Sequence, residues 1–234
     1  MRNREQRIES IAFDLVAGHI ILDHAGTRVL LDTGSPHSVG PDGQLDLHGT
    51  PIPLKRDYMG VTASDLEKFV GTRVDVLLGS DALINFTIVI DVPDLTMTLW
   101  PNTITPGKSE VAIWSLMGIP VVEVAIGESR IPMFFDTGAR LSYLDRNISR
   151  RYPVVGREVD FHPCFGEFET EIRKALVSVG GSEATLRWGE LPRTLRRTLM
   201  KGGPQGIIGT EFLNTYKVGL SLHRSVINLT RHDA

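Results

Sequence analysis

The stretch Val29-Leu30-Leu31-Asp32-Thr33-Gly34-Ser35-Pro36-His37-Ser38-Val39 lines up, at an offset of 104, with Met133-Phe134-Phe135-Asp136-Thr137-Gly138-Ala139-Arg140-Leu141-Ser142-Tyr143. In each copy a short apolar run reads as a buried strand that ends on Asp-Thr-Gly. One carboxylate is a poor activator of water, whereas two held close share a proton and act as base and acid in a single step. An offset of 104 in a chain of 234 residues suggests a duplicated lobe, with each copy donating one Asp.

A second block repeats further on. Leu77-Leu78-Gly79-Ser80-Asp81-Ala82-Leu83 matches Ile207-Ile208-Gly209-Thr210-Glu211-Phe212-Leu213 at an offset of 130. Phe86, Ile88, Ile90, Met97 and Leu99 keep that offset to Tyr216, Val218, Leu220, Ile227 and Leu229, and both stretches alternate like strands, with turns at Pro93-Asp94 and His223-Arg224. The change from 104 to 130 places 26 extra residues between positions 140 and 206. Upstream of each motif, Ile11 to Leu22 and Val121 to Ile126 read as strand segments followed by turns at Ala25-Gly26 and Gly127-Glu128.

The remaining elements follow from local signals. Ser64 to Val70 reads as a short helix capped by Thr62 or Ser64 and ended by Gly71. In the second half a hairpin is expected near residues 161–166, a strand over Ala175 to Val179, and a basic helix from Arg193 to Lys201 stopped by Gly202-Gly203-Pro204. Expected boundaries are an N-terminal lobe over 1–100, a linker over 101–110 rich in proline, glycine and polar residues, and a C-terminal lobe over 111–234.

A strand ending in Asp-Thr-Gly, followed in the same lobe by two aliphatic residues and Gly, resembles the aspartic peptidase family of pepsins and retropepsins, over almost the whole chain. The resemblance implies a mostly β, two-lobed acid protease fold with a few short helices, closer to tandem retropepsin subunits than to a full pepsin. It assigns catalysis to Asp32 and Asp136, which would activate a water for attack on a peptide carbonyl without metal, cofactor or covalent intermediate. Thr33 and Thr137 match the threonines that brace the two loops, and Gly34 and Gly138 the glycines that let each loop turn tightly. Leu77-Leu78-Gly79 and Ile207-Ile208-Gly209 match the strands that thread beside the Asp loops and carry a support role.

The fourth motif residue differs, Ser35 in one copy and Ala139 in the other. In the family a hydroxyl there donates to the adjacent carboxylate, so its loss at Ala139 is expected to raise the upper pKa of the pair. Only 47 residues separate Asp32 from Gly79, against 73 between Asp136 and Gly209. The longer flap is therefore expected from the second half, with Phe161, Phe165 and Gly166 as its candidate residues, and Tyr58 and Met59 offer a smaller first-half alternative.

Composition narrows the function classes. A net charge of −3 gives no electrostatic footprint for nucleic acid, and the one cysteine, Cys164, excludes an intrachain disulfide and a four-thiolate zinc site. Met1 to Ser10 is polar where a secretory signal needs an apolar core, and no apolar run is long enough for a membrane span, which fits a cytoplasmic protein. The seven histidines show no ligand pair at metal-binding spacing, and neither a Walker loop nor a dinucleotide fingerprint is present. The expected partner is a peptide or protein substrate, with both Asp residues in one polypeptide so that a monomer suffices. The alternatives are a catalytically silent peptide-binding module on the same fold and, with less support at 7% aromatic content, another two-carboxylate hydrolase such as a glycosidase.

Overall fold

The structure is a computed structural model that describes residues 9–41, 43–101 and 110–232. Its first half runs β1 (Glu9–Val16), β2 (His19–His24), β3 (Thr27–Leu31), β4 (Gly43–Leu47), β5 (Thr50–Leu54), α1 (Glu67–Val70), β6 (Val76–Leu78), α2 (Ser80–Leu83), β7 (Phe86–Asp91) and β8 (Thr96–Pro101). The second runs β9 (Glu110–Leu116), β10 (Ile119–Ile126), β11 (Ser129–Phe135), β12 (Ser142–Leu144), α3 (Arg146–Ser149), β13 (Val154–His162), β14 (Gly166–Val179), β15 (Ser182–Gly189), α4 (Arg193–Leu199), β16 (Gly206–Ile208), β17 (Tyr216–Ser221) and β18 (Val226–Arg231). The mostly β fold of two similar halves with a few short helices, expected from the sequence, is the one observed.

The halves join through a central run of strands in the order β9-β18-β17-β7-β8-β1. Its middle pair, β7 and β17, is antiparallel, with Ile88 opposite Leu220, Val89 opposite Gly219 and Ile90 opposite Val218. Val89 and Gly219 are equivalent positions at the 130 offset, so a pseudo-two-fold axis passes between them. The flanking pairs obey it: Ile11 faces Met97 and, correspondingly, Val111 faces Ile227.

Alternation along the strands builds the core from both sides. Leu22, Leu31 and Leu78 of the first half join Val122, Phe135 and Ile208 of the second in one buried cluster. The intervening residues turn outward into two satellite clusters, Ile21, Leu30 and Leu77 in one and Val121, Phe134 and Ile207 in the other. These triplets are again equivalent, so the duplication extends to packing.

Two expectations need correction. Ile11 to Leu22 is not a single strand, because Ala17 and Gly18 take positive φ of 49° and 86° and fold it into the β1–β2 hairpin. Met117 and Gly118 repeat that turn at 54° and 86° and create β9, upstream of the segment at Val121. Left-handed pairs of this kind set the tight turn that matches strand twist, and glycine adopts the conformation without steric cost. The strand expected over Ala175 to Val179 is the end of the much longer β14, which pairs with β13, β15 and part of β10. Helix α3 was not anticipated; Asp145 starts it by accepting the Asn147 N–H at 2.9 Å.

Elsewhere the local signals match. Thr62 and Asp65 exchange hydrogen bonds at the start of the first helical segment, and Gly71, at φ 80°, ends it. Helix α4 stops at Leu199, ahead of the glycine-proline stretch. The linker over 101–110 falls, for residues 102–109, outside the described residues. Among the described residues no helix is long and apolar enough to cross a membrane.

Candidate active site

Each Asp-Thr-Gly loop grows from the end of a strand whose neighbour is the aliphatic-aliphatic-Gly segment. Strand β3 pairs in parallel with β6, Leu30 to Leu77 and Leu31 to Leu78, and β11 pairs in parallel with β16, Phe134 to Ile207 and Phe135 to Ile208. The ladder continues one step, because Asp32 N–H donates to Leu78 O at 3.0 Å and Asp136 N–H to Ile208 O at 2.9 Å. Gly79 and Gly209 then pass beneath the loops: a Cβ would stand 2.6 Å from the His37 carbonyl oxygen at one and 2.5 Å from that of Ala139 at the other. Glycine is required there because the obstacle is backbone.

Ser38 and Ser142 complete this support, accepting the Gly79 and Gly209 N–H groups at 3.0 Å each. They were not among the residues singled out, although the 104 offset aligns them as identical residues. Ser38 also donates to Asp81 at 2.7 Å. The turns at Gly18 and Gly118 are a second missed feature: a Cβ at Gly18 would lie 2.8 Å from Arg140 Cβ, and one at Gly118 would lie 2.9 Å from Pro36 Cβ. Arg140 and Pro36 are equivalent, so each motif is pinned against the other half.

The threonines join the loops directly. Thr33 N–H donates to Thr137 Oγ1 at 3.0 Å and Thr137 N–H to Thr33 Oγ1 at 2.9 Å, while the two hydroxyls donate onward to Phe135 O at 2.7 Å and Leu31 O at 3.0 Å. Both threonines are buried. This reciprocal set fixes the separation and angle of the two loops.

Asp32 and Asp136 meet at the centre, hydrogen-bonded to each other and partly open to solvent. Asp32 Oδ1 accepts the N–H groups of Gly34 at 2.9 Å and Ser35 at 3.1 Å. Asp136 Oδ1 accepts those of Gly138 at 2.8 Å and Ala139 at 3.2 Å. A Cβ on Gly34 would overlap the Asp136 carboxyl, and one on Gly138 would overlap that of Asp32. The missing side chains are what let the two carboxyls touch.

Burial, the neighbouring Asp136 charge and the hydrogen bond to it hold Asp32 well above the ordinary carboxylate range. Burial raises Asp136 as well, opposed by the N–H of Gly138, the hydrogen bond from Asp32 and the N–H groups of Ala139 and Gly34. Both carboxyls are thus raised, and the pair shares its proton and titrates as a unit. The cause differs from the one the sequence suggested. Ser35 Oγ donates to His37 O at 2.7 Å and not to Asp32, so the serine-to-alanine difference removes no donor from the pair.

The flap candidates fall in two places. Tyr58 and Met59 lie on a turn closed by Tyr58 and Val61, with Tyr58 edge-on to His37 at 5.3 Å and Met59 exposed. Phe161, Phe165 and Gly166 belong to the β13–β14 hairpin, where Gly166 takes φ 90° at the turn. Phe161 crosses to the first half and stacks on Phe69, centroids 4.4 Å apart and ring planes nearly parallel, while Phe165 stays exposed and packs edge-on to Phe168. Asp160 anchors this arm, accepting from the Tyr143 hydroxyl and from Arg140 Nε at 3.1 Å.

A cavity of about 290 Å³ lies against this arm, lined by His19, Phe69, Arg140, Asp160 and Phe161. His19 is buried, which lowers its pKa, and neighbours the Gly138 backbone. Among the described residues no group of three His, Cys, Asp or Glu side chains is placed to hold a metal.

No protein-family model matches the chain, and no curated protein matches it by sequence. Among solved structures it is similar to the simian foamy virus (mac) protease in solution, at 11% identity and a TM-score of 0.30, over 39% of this chain and 88% of that one. It is also similar to the foamy viral protease-reverse transcriptase in complex with an RNA/DNA hybrid, at 14% identity and a TM-score of 0.34, over 43% of this chain and 12% of that one.

Proposed function

We propose that the chain is a single-chain aspartic endopeptidase that hydrolyses peptide bonds of an extended polypeptide. The observation that carries this reading is the contact between Asp32 and Asp136, each held by two N–H groups of its own loop and hydrogen-bonded to the other. Two carboxyls so placed retain one proton between them well above the ordinary carboxylate range.

In the proposed reaction Asp136, ionised, takes a proton from a water lying between the pair as that water attacks the peptide carbonyl carbon. Asp32, protonated, hydrogen-bonds the carbonyl oxygen and gives up its proton as the tetrahedral diol forms. The proton held on Asp136 then passes to the departing amine nitrogen while the carbon-nitrogen bond breaks, and the diol returns its proton to Asp32. Thr33, Gly34, Ser35, Thr137, Gly138 and Ala139 position the pair, and Leu77, Leu78, Gly79, Ile207, Ile208 and Gly209 support the loops.

The two lobes take residues 1–100 and 111–234 with a linker between, and a monomer holds the complete site. The β13–β14 hairpin serves as the flap, a role supported by the reach of Phe161 to Phe69. The cavity beside His19 receives a substrate side chain, while main-chain hydrogen bonds to the flap hold the extended peptide. The single cysteine favours a cytoplasmic substrate.

Incubation of the protein with a diverse peptide library, with and without a statine-type inhibitor, tests the reading by mass spectrometry. Internal cleavage abolished by the inhibitor supports it. Binding of peptides without cleavage across the acidic to neutral range contradicts it and favours a silent binding module.

A further inference from the structure

Helices α3 and α4 face each other across a groove of about 660 Å³, floored by Leu144 and Leu191. Arg146 and Arg150 enter it from the first helical segment at a four-residue spacing, and Arg193 and Arg197 enter from the second at the same spacing. Like charges at this spacing repel, so neither pair stabilises its own segment.

The acidic residues of the lining are already neutralised. Glu169 is met by Arg157 at 3.1 Å, Glu171 by Arg173 at 2.8 Å, and Glu190 by Arg173 at 3.1 Å and Arg146 at 3.4 Å. Arg196 is held by Asp145 at 3.0 Å. Arg150, Arg193 and Arg197 are exposed and have no ion-pair partner among the described residues. Three uncompensated guanidinium groups therefore remain, each a planar fork suited to a carboxylate.

We propose that this groove is a docking site for an acidic polypeptide segment, separate from the Asp pair. Cationic groups distributed over two walls suit a ligand that carries several anionic groups along its length, and the apolar floor suits the aliphatic stems of Glu side chains. Three guanidinium groups on two walls form no continuous basic stripe for the dense phosphates of nucleic acid, and the net negative charge of the chain disfavours it further.

The test is fluorescence anisotropy of a labelled peptide of alternating Glu and Ala with the full chain, a readout that needs no cleavage and is independent of the peptidase reading. Binding is expected at about 20 mM salt, with a loss of about tenfold or more at about 300 mM as the charges are screened. The double variant Arg193→Glu/Arg197→Glu is expected to lose about tenfold or more in affinity, whereas Arg130→Glu, exposed on β11 and not part of the groove lining, keeps it. The milder triple variant Arg150→Gln/Arg193→Gln/Arg197→Gln, checked for an unchanged melting curve, covers the case in which charge reversal unfolds α4. No binding at low salt, affinity unchanged in both multiple variants, or an oligothymidylate of equal charge binding as tightly as the peptide overturns the proposal.

Discussion

Thr33 and Thr137 each accept the other's backbone N–H, at 2.9 and 3.0 Å, across the pseudo-two-fold axis. Each hydroxyl also donates to a buried carbonyl of the opposite half, so removing one leaves an N–H and a C=O without partners. Thr33→Val is therefore expected to destabilise the protein by roughly 2–4 kcal/mol, from two buried groups at about 1–3 kcal/mol each. Urea denaturation measures this, and Thr33→Ser, which keeps the hydroxyl, should recover most of it.

The four glycines at the site divide by what they touch. Gly34→Ala and Gly138→Ala place a methyl against the opposing carboxyl, a side chain that can move, so the expected result is a folded protein with cleavage reduced by about a hundredfold or more. Gly79→Ala and Gly209→Ala press on backbone carbonyls, which cannot yield cheaply, and should cost about 3 kcal/mol or more. Thermal melts beside activity assays on the four variants separate the classes.

The proton on the Asp pair makes stability depend on pH. Asp32 has a folded pKa above its unfolded value, so between the two the folded state holds a proton that the unfolded chain has lost, and stability falls as pH rises through that window. Asp32→Asn removes this penalty. The variant should melt higher than wild type near neutral pH, on the order of a few degrees, and the difference should vanish at about pH 3, where the unfolded carboxyl is protonated too.

Because Ser35 Oγ is engaged by His37 O, a serine at 139 has the equivalent carbonyl, that of Leu141, to bond. Ala139→Ser is accordingly expected to leave the alkaline limb of the kcat/KM pH profile in place. A downward shift of that limb would show that the hydroxyl does reach the carboxyl.

Phe161 joins the β13–β14 arm to the first half through its stack on Phe69. Phe161→Ala should cost about 1–3 kcal/mol of stability through lost burial and ring contact. It should also raise KM more than it lowers kcat, measured by steady-state kinetics on a peptide identified from the library.

Most of the site was legible because it is repeated. The motifs, the glycine-ended strands and their pairing follow from two constant offsets, and Ser38 and Ser142 were visible as identical residues in the first of them. What the sequence concealed was long-range or context-dependent. The break at Ala17-Gly18 lies inside an apolar run that reads as continuous, and its partner turn at Met117-Gly118 is aligned at a third offset, of 100. The direction of the Ser35 hydroxyl depends on which of two nearby acceptors its rotamer meets, and a residue pattern does not encode that choice. The groove between α3 and α4 joins residues some fifty apart, so the Arg193 to Lys201 segment taken alone reads as no more than a basic helix.

The central claim, that Asp32 and Asp136 act together on one water, is tested most directly by the cleavage rate of Asp32→Asn and Asp136→Asn on a single identified peptide. Each variant replaces one carboxyl by an amide of nearly the same size. Both are expected to remain folded and to lose activity by about a thousandfold or more. Cleavage at the wild-type rate by either one contradicts the account.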